Sequence, residues 1–366
     1  MSIYKLPMHR FLCLASLIAA PCLIITSIHS AHAQFAETES NNTKPTANVL
    51  NLGTGTSATI SGASATSGDI DYYRINTTYQ TPGIYRNQIQ LSNTTQFTGS
   101  IRSLTQVAGV VTAGSDVLFQ SSLGAGTATP YDFNQYYSFG GTNKTQSMNY
   151  RILSSSSSTG GAYTATFSSS LITPTDIGNF TPGTLNFSAL ANIGSSGVAT
   201  NTEIVVLDSN YNVYYDNVAS SPTFGFAAVN DNAAAGFNLT RNFDVGTYYI
   251  AIGIGNVATN DSAPTDEATT SRNNPVLDFD NVIATNNTFY NGNNGNTRPA
   301  NFAITDSDGA PYSSSGQVIP SLYALNFYSF TVRTPAAIVP EAGTLALILP
   351  ALGLVGAATL RRVKAS

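Results

Sequence analysis

The chain has 366 residues with 15 Lys or Arg, 20 Asp or Glu, a net charge of −5 and no Trp. All three histidines (His9, His29, His32) and both cysteines (Cys13, Cys22) precede residue 34. A body beginning at Gln34 holds neither imidazole nor thiol. That excludes Ser–His and Cys–His nucleophiles, His- or Cys-ligated zinc, haem ligation through these residues, and disulfides. Carboxylate, Tyr, Lys and metal–oxygen chemistry remain.

The first predicted element is a secretory signal over residues 1–33. Lys5, His9 and Arg10 form a basic start, residues 11–28 an apolar run broken by Pro21, and Ala31-His32-Ala33 the small-x-small pattern that signal peptidase cleaves. Set aside the two ends and the body, 34–339, has nine more acids than bases. A charge-poor, mildly acidic surface argues against nucleic acid, which requires clustered Lys and Arg.

Within the body, helical periodicity is nearly absent. Short β-branched and aromatic runs recur between Gly, Asn, Ser and Pro turns: 71–75 (DYYRI), 87–91 (NQIQL), 116–120 (DVLFQ) and 162–167 (AYTATF). Further on come 202–207 (TEIVVL), 246–252 (GTYYIAI) and 323–332 (YALNFYSFTV). Several alternate with period two, as a strand with one buried face does. The fold class expected is all-β: two tandem β-sandwiches at 34–170 and 171–338, with a seam near 168–175. A faint repeat supports two units, since Thr81-Pro82-Gly83 precedes Gly161-Ala162-Tyr163 much as Thr181-Pro182-Gly183 precedes Gly246-Thr247-Tyr248. The Asn-rich stretch 259–301 is expected to be a long surface loop. Adjacent tyrosines (Tyr72–Tyr73, Tyr136–Tyr137, Tyr214–Tyr215, Tyr248–Tyr249) put one ring on each face of a strand, so some rings are expected at the surface.

In the first unit, the run Glu37-Thr-Glu39-Ser-Asn41-Asn42-Thr43 is followed by Ala47, Ile60-Ser-Gly62 and Gly68-Asp69-Ile70-Asp71-Tyr72-Tyr73. This pattern resembles the bacterial pre-peptidase C-terminal domain, a jelly-roll sandwich appended to secreted proteases and other exported proteins. Ser40 stands where that family usually has Pro. The second unit keeps only the middle and end of the pattern and reads as a diverged copy.

The chemistry with most support is a calcium site. Glu37 and Glu39 are two apart, so on an extended segment both carboxylates face one way, and Asp69 and Asp71 have the same relation. If the N-terminal segment lies along that strand, four carboxylates and the Asn41 and Asn42 carbonyls converge, enough oxygen for an ion taking 6–8 ligands. The resemblance implies the same, since some collagen-binding members hold calcium at these positions. The alternative is a loose N-terminus and a turn that merely carry these acids. Asp208-Ser-Asn210-Tyr-Asn212 opens like an EF-hand loop, but Val213 and Ala219 stand where the loop needs Gly and Glu, so a hairpin turn is expected. Asp306-Ser-Asp308-Gly309 is expected to be a turn as well.

The last element is an address. Val339, Pro340, Glu341, Gly343 and Thr344 precede a charge-free apolar run, 342–360, closed by Arg361, Arg362 and Lys364. At about 1.5 Å rise per residue the run nearly spans a hydrocarbon core of about 30 Å, and the basic end would stay cytoplasmic. The segment 339–366 resembles the PEP-CTERM sorting signal of Gram-negative bacteria, in which exosortase recognises the Pro-Glu motif and removes the transmembrane helix. Ala342 replaces the usual second Pro.

The expectation is thus a non-enzymatic protein, exported through the inner membrane to the cell surface or extracellular matrix and processed by signal peptidase and exosortase. Its partners would be extracellular polysaccharide or a surface protein, not nucleic acid. Two other readings are a secreted carbohydrate-active enzyme using a carboxylate pair and a ligand-free structural coat.

Overall fold

The computed structural model describes residues 32–334 apart from 54–55, 65, 94–95, 108–109, 122–131, 156–160, 191–201, 231–235, 255, 260–281, 287–297, 308, 310 and 320–322. Most of the predicted signal, including Ala31, and the whole sorting segment with Val339, Pro340, Glu341, Gly343 and Thr344 therefore lie outside the described residues. Among the described residues no helix is long and apolar enough to cross a membrane.

The chain is all-β. In order come β1 (His32–Ala36), β2 (Asn48–Gly53), β3 (Ser57–Ala63), β4 (Ile70–Tyr79), β5 (Gly83–Leu91), β6 (Phe97–Val107), β7 (Val110–Ser121), β8 (Asp132–Phe139), β9 (Lys144–Ser154) and β10 (Ala162–Ile172). Then follow β11 (Thr175–Phe180), β12 (Gly183–Ala189), β13 (Thr202–Leu207), β14 (Val229–Asn230), β15 (Asn238–Phe243), β16 (Gly246–Ile254), β17 (Asn256–Thr259), β18 (Val282–Asn286), β19 (Arg298–Pro299), β20 (Phe302–Thr305), β21 (Pro311–Ser313), β22 (Val318–Ile319) and β23 (Asn326–Val332). Each run picked out from the sequence falls in a strand, except that 323–325 precede β23.

The early strands form two packed sheets, β1-β3-β10-β5-β8-β18-β17 and β2-β4-β9-β6-β7. Period-two alternation aims one side chain in every two at the space between them: Ala58 and Ile60 of β3, Tyr73 and Ile75 of β4, Tyr163, Ala165 and Phe167 of β10. The later strands form sheets β11-β23-β16-β13-β14 and β15-β12-β20-β21, with a short β19-β22 pair. Their interior is aromatic, with Phe243 beside Phe187, Phe330, Tyr214 and Tyr248.

Two features differ from the sequence reading. Part of the stretch expected as a surface loop is strand β18, which pairs with β17 and with β8 of the first unit through Val282↔Tyr137 and Ile283↔Tyr136. The late chain therefore completes the early sheet. The second concerns the tyrosines: of the four pairs, Tyr72, Tyr73, Tyr136, Tyr137, Tyr214 and Tyr248 are buried, and only Tyr215 and Tyr249 keep part of their side chains at the surface. For Tyr136 the cover is the second unit, whose Phe327 ring lies 5.0 Å away and whose Leu325 N–H donates to the Tyr136 hydroxyl at 3.0 Å. Tyr137 points the other way, into a cluster with Tyr79, Tyr85, Phe139 and Val282. Both faces of that sheet are covered, so neither ring reaches solvent.

The joint between the units is thus a core of its own. Ile84 and Tyr136 meet Val205, Leu207, Ala251 and Phe327, with Ile283 of β18 in the same cluster. Ile283 is 2% exposed. Ile283→Asp would bury an unpaired carboxylate there, and we expect it to cost about 4 kcal/mol. Calorimetry of the full chain should show a lowered melting temperature; an unchanged one would mean that β18 contributes nothing to this joint.

Candidate metal centre

The alternation that builds the first sandwich also builds its open end. Asp71 shares the inward face of β4 with Tyr73 and Ile75 but sits one step from the strand's start, where the core gives way to polar groups. On the N-terminal side Ala33 and Phe35 pack against the core, and Glu37 is next on that face. The Glu37 N–H donates to the Ser61 carbonyl at 2.9 Å, carrying the β1–β3 pairing one residue beyond the strand.

The segment after Glu37 is not loose. Asn48 clamps Thr38 from both sides, accepting from its N–H at 2.8 Å and donating to its carbonyl at 2.9 Å. The Tyr72 N–H donates to the Asn41 carbonyl at 2.9 Å, pinning the segment against β4.

This places carboxylate oxygens of Glu37, Glu39 and Asp71 within 4.8 Å of one another. Asp71 is 1% exposed and Asn41 0%, while Glu39 faces solvent. Three buried oxygens here have no hydrogen-bond partner among the described residues: Glu37 Oε1, Asn41 Oδ1 and Asp71 Oδ1. Buried polar atoms are rarely left so, because each costs its full desolvation. Burial, the hydrogen bond that the protonated Asp71 gives to Glu37 and the nearby charges of Glu37 and Asp69 push the Asp71 carboxyl up to about 8, against the lowering effect of Tyr163. Glu39 is also raised, by desolvation first and then by Asp69 and Glu37. Such a group of acids holds a proton or a cation.

Of the six residues expected at the site, the structure brings together Glu37, Glu39 and Asp71, with Asn41 buried alongside. Asp69 stands behind them: its Oδ1 accepts the Ile70 N–H at 3.1 Å, and its charge acts on Glu39 and Asp71. Asn42 is exposed. The donors are all hard oxygens, a set that suits calcium, which accepts mono- or bidentate carboxylates and amide carbonyls. If a cation binds, Glu37, Glu39, Asp71 and the Asn41 side-chain oxygen would hold it.

Two parts of the site escaped the sequence reading. The Tyr163 hydroxyl bonds to Asp71 and lies 2.5 Å from that of Tyr73, forming the floor of the group. Burial holds both phenols well above their ordinary range, so they stay protonated. Gly62, opposite Tyr163 in the β3–β10 register, leaves room for the group: a Cβ there would lie 2.3 Å from both Glu37 Oε2 and the Tyr163 hydroxyl. We expect Gly62→Ala to cost about 1–3 kcal/mol by overpacking and to remove any stabilisation by calcium. Gly53→Ala, whose Cβ would meet nothing nearer than 3.9 Å among the described residues, serves as control. Thermal melts with and without calcium check this, and a Gly62→Ala protein that keeps its calcium response would contradict it.

The remaining motif acids of the second unit hold turns. Asp208 Oδ1 accepts from Asn210 N at 2.8 Å and Asn212 N at 3.0 Å, as a hairpin turn requires. Asp306 Oδ2 accepts from Thr181 N at 3.2 Å, and Gly309 closes its turn at φ +73°. Asp216, 1% exposed, gathers Val218 N, Ser221 Oγ, Thr223 Oγ1 and Asn242 N. No family model matches this chain, and no curated protein matches it closely enough to count as a relative.

Proposed function

We infer that the protein is an exported, non-enzymatic component of the cell surface or extracellular matrix, whose first sandwich is closed at its N-terminal end by a calcium ion. The carrying observation is the group Glu37, Glu39 and Asp71 beside Asn41, with three buried oxygens that lack hydrogen-bond partners among the described residues. Export rests on the sequence of the two ends: signal peptidase would cut after Ala33, and exosortase at the motif 339–344 in the inner membrane. The likeness of residues 37–73 to the pre-peptidase C-terminal pattern favours jelly-roll connectivity for the first unit, and extracellular polysaccharide or a neighbouring surface protein is its partner.

The non-enzymatic reading is supported by the use to which the second unit puts its acids. Asp208, Asp216 and Asp306 each hold a turn, which leaves these acids poorly placed to act as a freely facing pair for glycoside hydrolysis. The test is fractionation of the producing cells with intact-mass measurement of the exported form, together with calorimetric calcium titration. Export with both termini trimmed and one calcium per chain is the expected result. A cytosolic product beginning at Met1, or no calcium uptake, would contradict the reading, and turnover of polysaccharide would transfer support to the enzyme.

A further inference from the structure

A second concave site lies in the second unit, where the turn after β13 faces the start of β16. The cleft encloses about 560 Å³ and is lined by Asp208, Ser209, Asn217, Tyr215, Thr247 and Tyr248, among others. That volume lies within the range of small-ligand sites. The walls are fixed before any ligand arrives. Asp208 Oδ1 is held by two backbone N–H groups of its own turn. The Tyr214 hydroxyl donates to the Asn242 carbonyl at 2.7 Å and to Asn217 Oδ1 at 3.2 Å. The Tyr248 hydroxyl donates to the Asp244 carbonyl at 3.0 Å, while its ring stacks on Phe330 at 5.3 Å.

The lining selects a chemistry. Among the described residues the lining holds no Lys, Arg or His to attract an anion. The single carboxylate among them supplies too few oxygens for a calcium site. What remains is a set of neutral donors and acceptors (Ser209, Asn212, Asn217, Thr247) around one acceptor carboxylate, beside the half-exposed Tyr215 ring and the 62% exposed Val245 at the rim. Asp208 uses Oδ1 in its turn, which leaves Oδ2 to accept from a ligand hydroxyl. A ligand matching this is uncharged, rich in hydroxyl groups and apolar on one face: a sugar ring presents C–H groups to an aromatic or aliphatic surface and hydroxyls around its edge. We propose that the cleft binds a neutral saccharide. The inference deepens the surface-protein reading, on which the choice of an extracellular polysaccharide as probe rests.

The test is native electrophoresis of the full chain through gels containing dextran, galactomannan or, as an anionic comparison, alginate. Retardation by a neutral polysaccharide is expected, weakened at least tenfold in Asp208→Asn, which keeps the turn's acceptor oxygen, with its melting temperature unchanged. If that variant does not fold, Thr247→Val is read in its place. Absence of retardation by both neutral polymers, retardation by alginate alone, or retardation that persists in the folded variant would overturn the proposal. Export and calcium uptake are measured separately, so failure of the cleft is distinguishable from failure of the surface-protein reading.

Discussion

Calcium at a hundredfold excess over its Kd is expected to raise the melting temperature of the full chain by about 5 °C. Binding to the folded state alone contributes about 2.7 kcal/mol at that excess, and a chain of this size gains a few degrees per kcal/mol. The full chain is the proper material because β18, from the late sequence, completes the first sheet. The effect depends on pH. Without the ion, Asp71 carries a carboxyl raised from 3.8 to about 8. Its contribution to stability is fully present below the unfolded value near 3.8 and is lost as pH rises through about 8. The calcium-free protein should therefore lose stability across that window, while calcium, which displaces the proton, should bind more tightly up to about pH 8 and then level off.

Asp71→Asn separates the ion from mere packing. Removing the buried charge should leave the calcium-free protein at about pH 8 as stable as the wild type or more so, yet abolish the calcium response. A purely structural Asp71 would produce loss in both conditions.

Phe243→Ala is expected to cost about 3–5 kcal/mol, as deletion of a fully buried ring does, and to lower the melting temperature by about 10 °C. Phe243 is 1% exposed, stacked on Tyr214 at 4.7 Å and edge-on to Tyr248 at 5.0 Å, with Phe187 and Phe330 at 5.6 and 5.7 Å. Tyr214 and Tyr248 also line the cleft, so the same change should weaken any retardation in polysaccharide gels. Phe224→Ala, at a 54% exposed position, should stay within about 0.5 kcal/mol. Urea unfolding of the two variants decides the matter: a loss below about 1 kcal/mol for Phe243→Ala would remove that ring from the centre of the second core.

The strands and the acids of the candidate site were legible because both follow from local sequence spacing. The position of Asp71 two before Tyr73 puts its carboxylate on the inward face of β4, and Glu37 continues the inward face of β1, whereas Glu39 lies past the strand and faces solvent. What was not legible depends on distant partners. The pairing of β18 with β8 joins residues far apart in sequence through two residue pairs among the described residues, and nothing in an Asn-rich stretch marks it. The burial of Tyr136 needs a second sandwich against its sheet, which a period-two pattern cannot reveal. Gly62 and Tyr163 meet only through the β3–β10 register, so the sequence offered them as separate letters rather than as the wall and floor of one site.

The most direct measurement is X-ray diffraction from crystals of the protein grown in calcium, recorded at a wavelength where calcium scatters anomalously. One peak is expected, in contact with Glu37, Glu39, Asp71 and the Asn41 side-chain oxygen. A map without a peak there, with these four side chains arranged as they are now, would contradict the assignment.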